Sequence, residues 1–159
     1  MATALHNVRR NFEWVIRAIT PTCAVNPNLF EPLNPLVDQG KDSSGWARKF
    51  WVQWTGSDND SAATDADRRE CWHQYIVTVL YPTCESWDDL QDMIAIDRHQ
   101  LRLALRWDDN RLGYDADHTT TDIGLYVRQC TGDEIDDKTD PTVHRLRMAW
   151  RCKIRETER

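Results

Sequence analysis

Glu134, Asp136 and Lys138 stand at alternate positions of one short acidic run. Two carboxylates followed by a lysine form the set with which metal-dependent nucleases hold a divalent ion and steady a phosphoryl oxygen. Such carboxylates need a rigid mount. Their neighbours Thr131, Gly132 and Pro141 read as loop, so the run is expected to be a solvated acidic turn, with a nuclease or phosphoesterase as the enzyme alternative. Other chemical motifs fail at particular positions. Gly40-Lys41 is followed by Asp42, and Pro35 stands where a phosphate-cradling loop needs its first glycine. A calcium loop opening at Asp58 would have Asp60 in place, but Ala62 and Ala63 replace a ligand and the turn glycine, and Arg69 replaces the bidentate glutamate. Cys71, His73 and Cys84 match no paired zinc-ligand spacing. His99 lies beside Arg98 within a helical pattern and reads as a surface residue, and no Gly-x-Ser-x-Gly elbow is present. No catalytic residue, metal site or cofactor is therefore expected.

The five cysteines are Cys23, Cys71, Cys84, Cys130 and Cys152, an odd number without a Cys-x-x-Cys pair. Reduced thiols packed as small apolar groups are expected in place of a disulfide framework.

Charge is segregated along the chain. The stretches 57–70, 107–122 and 131–141 each carry five carboxylates, among them Asp58, Asp60, Asp65 and Asp67, then Asp115 and Asp117, then Asp133, Glu134, Asp136 and Asp137. Residues 144–159 carry six Lys and Arg against Glu156 and Glu158. The formal net charge of -6 conceals these two populations and argues against a general DNA-coating surface. Three readings of the basic stretch stay open: a solvated sheet face, a surface that meets the acidic loops of a neighbouring copy and so builds a ring, or a face turned to passing nucleic acid through loose phosphate contact.

The elements that must carry these groups follow from hydrophobic spacing. Leu5, Val8, Phe12, Val15, Ile16 and Ile19 mark one stripe of a helix over about 3–20, which Pro21 ends. Pro21, Pro27, Pro32 and Pro35 then predict a long irregular arm over 21–47. Strands are expected over 49–55, with Phe50, Val52 and Trp54 on one side, and over 71–81, rich in β-branched and aromatic residues up to Pro82. Ser86 is placed to cap a second helix over 86–106, with Asp88 and Asp89 in its first turn and Leu90, Met93, Ile94, Leu101 and Leu105 on one face. A third strand covers 123–130, with Ile123, Leu125 and Val127 alternating against Tyr126 and Arg128. The last strand is the most regular: Leu146, Met148, Trp150, Cys152 and Ile154 alternate with Arg145, Arg147, Arg151, Lys153 and Arg155, interrupted at Ala149. An apolar layer could not cover that basic face without burying unpaired charge.

A chain of 159 residues and 18.7 kDa with 40% hydrophobic residues points to one folded domain over 1–159. The order of elements predicts an α+β fold, with an antiparallel or mixed sheet of about four strands and two helices on one face. No secretory signal or membrane-length apolar run is read at the amino terminus or elsewhere, so use in the cytoplasm is expected. Eight tryptophans among 15 aromatics exceed what one small core encloses. Trp14, Trp46 and Trp107 are the interface candidates, whereas Trp150 is expected to face inward.

The sequence resembles the tail terminator, or tail completion, proteins of long-tailed bacteriophages. The resemblance rests on size, on element order across nearly the whole chain, and on local phrasing. The first helix closes in Arg17-Ala18-Ile19-Thr20-Pro21-Thr22, an Asp-containing loop follows the Trp-containing first strand, and a helix opens Ser86-Trp87-Asp88-Asp89-Leu90. The resemblance implies a virion subunit, assembled in the host cytoplasm, that forms a hexameric ring on the tail tube. Such a ring stops tube polymerisation, meets the connector or a head completion protein, and lets genomic DNA pass through its lumen without sequence readout. It implies no catalytic residue and no membrane partner. Another neck component, such as a head completion protein, is the alternative within the same setting.

Overall fold

In the computed structural model, described over residues 4–20, 30–33, 48–58, 68–81, 86–106, 125–136 and 144–157, two helices lie on one face of a five-stranded mixed sheet. The elements are α1 (Ala4–Arg17), β1 (Phe30–Pro32), β2 (Arg48–Asp58), β3 (Arg68–Tyr81), α2 (Trp87–Leu105), β4 (Leu125–Asp136) and β5 (His144–Thr157). The sheet order is β1-β2-β3-β5-β4; β1 runs parallel to β2 and every other pair is antiparallel. The α+β expectation holds, with five strands in place of about four.

The fifth strand comes from the proline-bearing arm. Phe30, Glu31 and Pro32 pair with Arg48, Lys49 and Phe50, and the Leu33 N–H donates to the Phe50 carbonyl at 2.7 Å. Proline is tolerated there because β1 is an edge strand whose far side needs no donor. Phe30 holds the segment by burying its ring edge-on against Phe50, centroids 6.5 Å apart.

The core lies between the helices and the inward face of the sheet. Val8, Phe12 and Ile16 of α1 and Leu90, Met93, Ile94, Leu101 and Leu105 of α2 meet Phe50, Val52, Tyr75, Val77, Val79, Leu146, Met148 and Trp150, all buried. The helical and strand periodicities therefore converge on one apolar volume. The Ser86 side chain accepts from the Asp89 N–H at 3.4 Å, as its position before the apolar stripe predicts. Between Trp54 and Gly56 the β2–β3 register shifts, and Gly56 takes φ +145, a conformation that side chains with a Cβ rarely adopt.

Besides the strand within the expected irregular arm 21–47, two further expectations are corrected. The segment 131–136 is strand, the second half of β4, where a loop was expected. Its acidic residues face arginines: Asp136 is in register with Arg145 and Glu134 with Arg147, whose Nη1 lies 3.3 Å from Glu134 Oε1. Cross-strand pairing of opposite charges supports a sequence with weak intrinsic strand preference. In addition, Arg128 is on the inward face, opposite Cys152 and fully buried, not on the outward one. The register shift between Leu125 and Val127 moves the following residues by one position, which exchanges faces.

Candidate assembly surface

On β5 the alternation works as the sequence predicts, with Leu146, Met148, Trp150 and Cys152 buried and Arg145, Arg147, Arg151 and Lys153 on the opposite, outer face. Arg155 is in register with Glu70. The ladder is tied down by polar neighbours of the same chain. Arg151 donates from Nε and Nη2 to Gln129 Oε1 at 3.0 and 2.8 Å, and its guanidinium lies 4.4 Å from the Trp72 ring centroid. Lys153 Nζ lies 5.9 Å from the same ring. A cation over an indole face is attracted by the ring quadrupole, so Trp72 serves as a platform that fixes two of the cations.

Where Ala149 interrupts the ladder, Gly132 and Ile76 flank it in register, and Glu134 and Arg147 line the same depression of about 260 Å³. The outer face is thus a charged plate with one shallow apolar notch.

The predicted acidic partners divide. Asp58 ends β2, exposed, and accepts from Gln74 Nε2 at 3.1 Å. Glu134 and Asp136 belong to the basic plate itself. Asp133 reaches away from it to α2, where Arg98 Nε lies at 2.9 Å and Arg102 Nη1 at 3.9 Å. Asp60, Asp65, Asp67, Asp115, Asp117, Asp137, Trp46 and Trp107 lie outside the described residues. Trp14 is about half exposed on α1, as its place on the polar side predicts.

Glu134 and Asp136 do have the rigid mount of a strand, which the sequence did not suggest; Glu134 is spent on Arg147, and Lys138 lies outside the described residues. Among the described residues, no group of three His, Cys, Asp or Glu side chains could hold a metal ion. His73 is buried and its Nδ1 accepts from Trp54 Nε1 at 3.2 Å. His99 is exposed on α2, as expected. Cys152 is buried and burial pushes its thiol up to about 12, against the lowering effect of Arg128, so it is a packing group and not a nucleophile.

Two buried ionic groups were missed. Arg48 and Asp97 form an ion pair at 2.6 Å with side chains 0% and 1% exposed. Arg128 donates to the Leu105 carbonyl at the end of α2 and, from Nη1, to Asn11 Oδ1 of α1 at 3.2 Å, while its guanidinium sits 4.5 Å from the Phe12 ring centroid. Burial lowers Arg128 to about 10, which still leaves it charged. For Asp97 a signal existed, since it stands at an apolar-stripe position of α2; for Arg128 the register shift hid it.

No protein-family model matches the chain, and no curated protein matches it either. Among solved structures, a chain of one described as the virion of a native gene transfer agent (GTA) particle superposes with a TM-score of 0.59 at 10% identity. The match covers 96% of this chain and 97% of that one. At that identity the likeness is one of fold. It spans the helices and sheet end to end, so the neighbour shares the arrangement and not merely one motif.

Proposed function

We propose that the protein is a structural subunit of a phage-like particle, of the tail terminator type. In this reading it forms a ring at the head-proximal end of the tail tube, ends tube polymerisation and joins the tail to the connector. The observation that carries it is the near-complete two-way coverage of the fold shared with a chain of a gene transfer agent virion. The resemblance in helix-closing and helix-opening phrases supports it independently. The protein acts by assembly, as one domain, and not by catalysis. Its outer basic plate faces either the next subunit or DNA in the lumen.

Electron microscopy of native particles carrying a labelled copy of the chain tests the placement. Label confined to a ring between tube and connector is expected. Label on the capsid side of the connector would favour a head completion protein, and absence from particles would overturn the reading. Mg²⁺- or Mn²⁺-dependent cleavage of DNA that is lost on Asp136→Asn would instead favour the nuclease.

A further inference from the structure

A second charged surface lies on α2. The solvent stripe of this helix passes through Asp88, Asp92, Ala95, His99, Leu103 and Arg106, so one exposed face is acidic at its start and basic at its end. At the basic end, Arg98, His99, Arg102, Leu103 and Arg106 of α2 and Gln129 of β4 line a groove of about 460 Å³. Arg98 and Arg102 there share the single carboxylate of Asp133. Each end also shows a large apolar side chain to water, Trp87 at 57% and Leu103 at 63% exposure. At about 1.5 Å per residue the two ends are roughly 24 Å apart.

Complementing the helix dipole would explain Asp88, Asp89 and Arg102. It does not reach Asp92 in the second turn or Arg98 two turns before the end, because the dipole effect fades within a turn. Nor does it explain exposed Trp87 and Leu103, each of which leaves apolar area in water at about 25 cal/mol per Å².

We propose that the groove at the carboxyl end of α2 receives the amino end of α2 from a second copy of this chain. Trp87 packs against Leu103, and Asp88 and Asp92 meet Arg102 and Arg106. The occupant is chosen by charge complementarity: the chain itself displays the acidic and aromatic patch that the basic and apolar groove fits. Because the two patches differ, the contact is head-to-tail and closes into a ring when the rotation allows. The inference rests on the ring reading above and adds to it which surfaces meet.

The test uses two charge-reversed full-length variants, Arg102→Glu/Arg106→Glu and Asp88→Lys/Asp92→Lys, each checked for a wild-type circular dichroism spectrum. Their assembly is followed by sedimentation, alone and with tail tubes. Each variant should associate at least about tenfold more weakly than wild type, since like charges then face each other. Mixed in equal amounts they should recover assembly, because every contact in an alternating even-numbered ring again joins opposite charges. Trp87→Ala should weaken assembly with no change in its salt dependence. If wild type assembles and both variants do so equally well, or if folded variants fail to recover on mixing, the contact is wrong while the ring stands. If wild type stays monomeric even with tubes, the contact and the ring reading fall together.

Discussion

Asp97 shows how a buried carboxylate is balanced within this fold. Burial pushes its carboxyl from 3.8 up to about 6, against the opposing effects of Arg48 and Tyr81. The folded chain therefore holds this proton at pH values where the unfolded chain has released it. Its contribution to stability is fully present below pH 3.8 and is lost as pH rises to about 6. Removing only one partner leaves a buried charge unpaired, so Asp97→Leu should destabilise by about 3–5 kcal/mol, whereas Arg48→Met/Asp97→Leu should cost much less. Thermal melts at several pH values check both points. The gap between wild type and the double variant should move in favour of wild type as pH falls from 7 to 5. A gap independent of pH would show that Asp97 does not titrate in that window.

Elements were legible where one period governed a whole stretch. The two helices, the core strand of Tyr75, Val77 and Val79, and the alternation of β5 all follow from apolar spacing, because each buries one face against a single core. What was not legible depended on a partner strand. Glu134 and Asp136 form strand with Arg147 and Arg145 across from them, Asp133 with Met148 across from it and Arg98 of α2 on its carboxylate, and Phe30–Pro32 with Phe50 offering a ring and a carbonyl. Arg128 reaches the inward face through a register shift that no residue type announces. At this scale the cap of α2 is the simplest test: Ser86→Ala removes the acceptor for the Asp89 N–H and should cost about 1 kcal/mol, a fall in Tm of about 2–4 °C. An unchanged melt would mean that water serves that N–H equally well.

Across the whole molecule, opposite charges are arranged at two levels. On the sheet, Arg145 and Arg147 of β5 face Asp136 and Glu134 of β4 within one subunit, which consumes part of the acid that the sequence assigns to a neighbour. Along α2 acidic residues gather at the amino end and basic ones at the carboxyl end, where Asp133 of β4 meets Arg98 and Arg102. The basic plate therefore carries part of its counter-charge within the subunit, and Arg151 and Lys153 lie over the Trp72 ring on its outer face. Arg147→Glu/Arg151→Glu should leave the monomer folded, since exposed pairs of this kind are worth at most about 1 kcal/mol each, while weakening association of subunits or their hold on DNA. Association and DNA retention both unchanged in sedimentation would remove the plate from the assembly surface.

In the proposed function this fold works by closing into a ring on a tail tube. Native mass determination of the purified chain, alone and after incubation with tail tubes, tests it most directly. The expected result is a closed species of about six times the 18.7 kDa subunit mass, present alone or recovered from tube ends. A strict monomer that never associates with tubes would contradict it.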